Sequence, residues 1–153
     1  MSTILDTFQT NFSKPRAVCV IMRNVPLPDP VIDALALDAT EVEELLVKRR
    51  WPDGVVCPHC GGRSIGKLGP GKHRPGLFKC YADGCMRQFT VRSATIMHWS
   101  HFTLNQWLAA ATMRRLQANL TAAMLQQALH IHSHTAALHL LHKLAQAPPW
   151  LFR

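Results

Sequence analysis

Cys57-Pro58-His59-Cys60-Gly61-Gly62 and, after a 19-residue excursion from Cys60, Cys80-Tyr81-Ala82-Asp83-Gly84-Cys85 decide how this chain folds. A Cys-x-x-Cys pair puts two thiolates on one tight knuckle, and a second pair closes a tetrahedral shell with no position left for substrate, which is the pattern of a structural zinc site. Gly61 and Gly62 supply the φ > 0 freedom with which such a knuckle returns its chain. The second pair is looser, with four intervening residues where two are commoner. Two rival chemistries use paired cysteines. A redox Cys-x-x-Cys opens a helix in a βαβ context, whereas Pro58 and the double glycine predict a turn between short strands. Disulfides need an oxidising compartment, and Ala17 to Met22 is only six apolar residues behind Lys14 and Arg16, no export signal. The expected cofactor is therefore one structural Zn²⁺ held by Cys57, Cys60, Cys80 and Cys85, in a cytoplasmic protein. Cys19 is left as a buried or free thiol, and His59 and His73 as spare donors.

Working outward, Thr40-Glu41-Val42-Glu43 reads as a capping box, and Lys48-Arg49-Arg50 closes that helix with the charge its dipole prefers. Trp51 precedes Pro52 and so leaves the α region, and Pro52-Asp53-Gly54 turns the chain into Val55-Val56 as a strand. Ser64 to Leu68 and Leu77 to Lys79 pair as short strands, and Gln88 to Val91 follows the second knuckle as another. So small a sheet buries little apolar surface, and zinc contributes on the order of 10 kcal/mol to folding in such sites. Residues 1–38, with Pro15, Pro26, Pro28 and Pro30, read as an irregular arm with room for one or two helical turns at Val31 to Leu37.

Past the ribbon the apolar period changes from two to about 3.6. Thr103 caps a helix with Leu104, Trp107, Leu108 and Ala111 on one face and Arg114 and Arg115 in its last turn. A second helix fits Thr121 to Leu129 and a third Ser133 to Ala147, joined by His130-Ile131-His132. That tight link has the pattern of a helix-turn-helix, although any small helical bundle presents the same periodicity. The expected fold is small α+β: a helix and zinc ribbon over 39–95, then an all-α helix-turn-helix bundle over 96–147, with a tail at 148–153.

Charge points to a partner. The formal net charge is +8 over 153 residues, with residues 1–53 at −2 and residues 54–153 at +10. Met86 to Arg153 contains no Asp or Glu. A segment without internal ion pairs attracts a polyanion, and double-stranded DNA is the expected one, although a basic surface also serves solubility alone. No apolar run approaches the roughly 20 residues of a membrane span.

The stretches Arg50-Trp51-Pro52-Asp53-Gly54-Val55-Val56-Cys57-Pro58-His59-Cys60-Gly61, Phe78-Lys79-Cys80, Cys85-Met86-Arg87-Gln88-Phe89-Thr90-Val91-Arg92 and Thr95-Ile96-Met97-His98 closely resemble the N-terminal zinc ribbon of a family of bacterial insertion-sequence transposases. The helices that follow resemble the same family's helix-turn-helix, and the likeness spans roughly residues 35–147. It implies binding of transposon ends by these parts, and strand cleavage by a further RNase H-like domain that holds divalent metal on acidic residues. The chain stops at Arg153, about where that domain would begin, and no carboxylate side chain follows Asp83. A two-metal site needs several converging acids, so strand transfer by this polypeptide alone is not expected. A stand-alone regulator and a ribbon that contacts another protein are the alternative readings. A second copy of the chain or a full-length transposase are candidate partners.

Candidate phosphate contacts are Arg87, Arg92, Arg114 and Arg115, each near a turn or helix end, with a solvated face as the alternative for any one. On the third helix the candidates are His134, Thr135, His139 and Lys143, with His142 nearby. The alternating His130, His132 and His134 raise a second metal site, but no Cys or carboxylate joins them, and a polar or DNA-facing surface is the plainer reading. Facing DNA, such histidines would strengthen binding as pH falls toward 6. Trp51, Trp99 and Trp107 are expected as core anchors rather than stacking platforms. Pro148-Pro149-Trp150-Leu151-Phe152 reads as an exposed apolar tail, a linker or docking segment.

Overall fold

A computed structural model describes residues 27–69 and 76–153. Cys19 and His73 lie outside them. The element order is α1 (Asp29–Ala36), α2 (Ala39–Arg50), β1 (Ile65–Lys67), β2 (Phe78–Cys80), β3 (Gln88–Phe89), α3 (Leu104–Leu116), α4 (Ala122–Ala128), α5 (His134–Ala145) and a 3₁₀ helix over Pro149–Phe152. The mixed α+β class expected from the sequence is the class observed.

Helix starts follow local side-chain chemistry. Thr103 accepts from the Gln106 amide while Gln106 Oε1 reaches back to the Thr103 N–H, and Thr121 and Ser133 cap α4 and α5. The cap of α2 lies two residues earlier than expected. Asp38 accepts from Thr40 and Glu41, and Glu41 returns to the Asp38 N–H, because Asp38 holds the extended backbone a cap needs and Thr40 is already helical. Trp51 ends α2 at φ −130°, as its place before Pro52 requires.

The sheet is antiparallel in the order β1-β2-β3, with Ile65 opposite Cys80 and Phe78 opposite Phe89. Val55 and Val56 make no strand, and β3 ends at Phe89. Three aromatic rings take the place of a larger sheet: Phe78 stacks on Phe89 at 5.6 Å, and Trp51 meets both edge-on at 6.2 and 6.0 Å.

Around α3 lies a second, larger core. Trp107 through Ala111 are all buried, because α1 and α2, α5 and the 3₁₀ helix pack around α3. The one or two helical turns expected at Val31 to Leu37 are α1, which begins two residues earlier and is packed rather than irregular: Val31 and Ala34 are buried, and Asn105 Nδ2 donates to Leu37 and Ala34 carbonyls, satisfying the open end of α1. Gln106 Nε2 does the same for Leu129 at the end of α4. The segment expected as an exposed tail is instead docked, with Leu151 fully buried and its carbonyl accepting from Arg49. Pro149 at the start of a helical turn and an apolar run behind it favour this over a linker. Val47 and Trp51 of the α2 end touch both cores.

Candidate metal centre

Four sulfurs converge at one end of the sheet. The first knuckle is closed by Gly61 N–H donating to the Cys57 carbonyl at 2.9 Å and Cys57 N–H to Gly62 at 3.0 Å. Gly61 has φ 73°, the left-handed turn anticipated from its sequence position. Gly62 is needed for a different reason, since a β-carbon there would stand 3.1 Å from Ala82 Cβ and 3.2 Å from Cys60 Sγ. The longer second knuckle is hung on the sheet by Cys80 N–H to Arg87 O at 2.9 Å and Tyr81 N–H to Ser64 O at 2.8 Å. Left-handed Gly84 and Met86 then fold its extra residues so that Cys85 swings inward.

The result is a closed thiol cluster, with all four Sγ atoms within 4.8 Å of one another. Cys57 lies 3.8 Å from Cys85 and Cys60 3.7 Å from Cys80. A tetrahedron with Zn–S bonds of 2.3 Å has edges of about 3.8 Å. The donor set and these cross-knuckle separations fit zinc, and the four residues between Cys80 and Cys85 do not spoil the geometry. Burial disfavours ionisation of Cys57, but backbone hydrogen bonds at His59 and Cys60, with those of the Cys60 and Cys85 thiols, bring it down to about 7. At Cys80 the Ala82 backbone hydrogen bond favours the thiolate, yet burial and the three neighbouring sulfurs push it up to about 12. Cys85 is also raised: the hydrogen bond at Arg87 lowers it, and burial with Cys60 and Cys57 outweighs that. Negative sulfurs so close do not accumulate unaided; a divalent cation is what lets all four ionise together. The cluster holds one structural Zn²⁺, whose four thiolates complete its tetrahedral shell.

Aromatic-cored strands under two crossed knuckles define a zinc ribbon. Residues 38–88 match the family model of the transposase zinc-ribbon domain, so the ribbon is of the insertion-sequence transposase kind that the sequence resembles. No curated protein and no solved structure matches the chain.

The remaining candidate residues are scattered. Arg87 is exposed, its Nη1 3.5 Å from His59 Nδ1. Arg92 donates to Ser100 and Phe102 carbonyls at 3.2 and 2.9 Å and so ties down the loop after the ribbon. Arg114 donates to Ala118 at the end of α3, and Arg115 is exposed. On α5, His134, Thr135, His139 and His142 are exposed and Lys143 is half-buried, while Ala137, Leu140 and Leu144 face the core. The histidines form no metal-binding group among the described residues; the cysteine cluster alone does.

Two features escaped the sequence reading. Trp51 and Trp107 are core anchors, but Trp99 is 88% exposed. Its neighbours His98, Ser100 and His101 are all polar, a signal that the periodicity around Trp107 obscures. Arg50, read as a helix-end charge, is a joint: its Nη1 donates to Val91 O at 2.6 Å, and its guanidinium lies 4.3 Å from the Trp51 ring and 5.9 Å from that of Trp150. Burial lowers it to about 10, still charged at neutral pH.

Proposed function

We propose that this chain is a zinc-dependent DNA-binding protein, the recognition part of an insertion-sequence transposition system, with the α4–α5 pair acting as a helix-turn-helix and α5 facing the major groove. The observation that carries this reading is that a transposase-type ribbon shares its α2 helix with a helical core whose outer surface, from Met86 to Arg153, contains no acidic side chain. Exposed Arg87 and Arg115 supply phosphate contacts, and His134, Thr135 and His139 line the outward face of α5. Strand transfer needs converging carboxylates on two metal ions, and residues 84–153 offer none, so the role proposed is binding rather than cleavage.

Fluorescence anisotropy of labelled duplex DNA across a salt series tests it, using the zinc-loaded chain and a neighbouring element's inverted repeats. Affinity should fall steeply with salt and vanish after chelation. A folded, zinc-loaded chain that binds no duplex at low salt overturns the reading and leaves the ribbon as a protein-contact module.

A further inference from the structure

Among the large apolar side chains of the described residues that reach solvent, Trp99 stands apart: it is 88% exposed, against 53% for Met86, the next. The loop that carries it is already fixed without it. Thr95 Oγ1 donates to Arg92 O at 2.6 Å and accepts from Met97 N–H at 3.1 Å, Ser100 N–H closes a turn on Met97 O at 3.2 Å, and Met97 is fully buried. Arg92 holds the far side of the loop through Ser100 and Phe102. Trp99 is the third residue of that Met97–Ser100 turn and has φ 56°. Glycine or asparagine is the unstrained choice there, and a bulky aromatic is an outlier. Strain of this kind persists where surrounding structure over-determines it, and it clusters at functional positions. Among the described residues the ring's only ring contact is His98, edge-on at 4.9 Å, so packing there does not explain it.

A partner that covers the indole does explain it, and the surroundings select the chemistry. No carboxylate side chain occurs in the sequence from Met86 onward, and the polar, exposed His98 and His101 stand on either side of Trp99 along the chain. A polyanion carrying flat aromatic groups meets both conditions. Base–aromatic stacking accepts any base but needs a free π-face, which a paired duplex interior does not offer. We propose that Trp99 is a rigidly presented stacking platform for an unpaired nucleobase in the DNA that this chain binds; the inference rests on the DNA-binding reading above.

The test uses the full zinc-loaded chain, its Trp99→Gly and Trp99→Phe variants, and two labelled duplexes of one sequence, one fully paired and one carrying a single unpaired thymine. The wild type should bind the bulged duplex roughly tenfold tighter than the paired one. Trp99→Gly should lose that preference, keep its affinity for the paired duplex, and melt no lower than the wild type because glycine relieves the left-handed backbone. Trp99→Phe should retain part of the preference. Equal wild-type affinity for the two duplexes overturns the proposal while leaving duplex binding intact, as does an equal loss on both in Trp99→Gly. A lower melting temperature in Trp99→Gly makes the residue a structural one, and a wild-type dimer in sedimentation that Trp99→Gly dissolves gives the ring to a second copy. Binding to neither duplex sinks this inference and the DNA-binding reading together.

Discussion

Gly76 lies directly beneath the Glu43 carboxylate, at φ 69°, just before β2. A β-carbon at this position meets the carboxylate oxygens and forces a left-handed backbone on an L-residue. Gly76→Ala should therefore cost about 1–3 kcal/mol of stability, read by denaturant unfolding. Glu43 is half-buried, and burial raises its carboxyl above the ordinary range, against the pull of Lys67 and Arg92. Its ionisation thus opposes folding, a contribution that favours the native state below the ordinary carboxyl pKa and fades as pH rises through the raised one. At the same scale, legibility in the sequence divides cleanly. The cysteine ligands and the caps Thr103, Thr121 and Ser133 act on neighbours within a few residues, so spacing alone exposes them. Trp99 and Arg50 are defined by residues far away or by a backbone angle, neither of which a period reports.

At the scale of elements, the ribbon and the helices draw on different sources of stability. The ribbon buries Cys57, Phe78, Cys80 and Phe89 around a site that folding and zinc binding complete together, whereas the α3-centred core contains no zinc ligand. Chelation should abolish the near-UV signal of the Trp51, Phe78 and Phe89 cluster while leaving most of the far-UV helical signal. Complete loss of helicity on chelation would show that the helices have no independent core. The thiols set a second expectation. Zinc must displace protons, with the Cys57 thiol near 7 and that of Cys80 near 12 in the metal-free site, so apparent zinc affinity should climb with pH from 6 to 8. Competition with a chromophoric chelator reads it, and a pH-independent constant would contradict four-thiolate ligation. The helices α3 to α5 were legible because their apolar period runs uninterrupted; α1 was legible only as one or two turns in an irregular arm, and its packing was not, since only eight residues between Pro28 and Leu37 carry it and its partner, α3, lies far along the chain.

For the whole molecule, the closing 3₁₀ helix matters more than its length suggests. Leu151 is fully buried in the large core, next to α2 and α3. Leu151→Ala should destabilise the chain by about 2–5 kcal/mol in urea unfolding, comparable to an internal core leucine. A change within ±0.5 kcal/mol would mean that the segment rests on the surface only. No helix among the described residues is long and apolar enough to cross a membrane.

Val47 and Trp51, shared by both cores, also tie the ribbon to the helical core that α5 joins through Ala137, Leu140 and Leu144. Such a body works as a ruler. In the DNA-binding reading proposed above, with both the ribbon and α5 on B-form DNA whose faces repeat every 10 to 10.5 base pairs, a ruler demands phase: about five base pairs inserted between the two contacted segments would turn one of them to the far side of the duplex. On that reading, a DNA site for this chain should tolerate changes of letter between those segments more readily than changes of length.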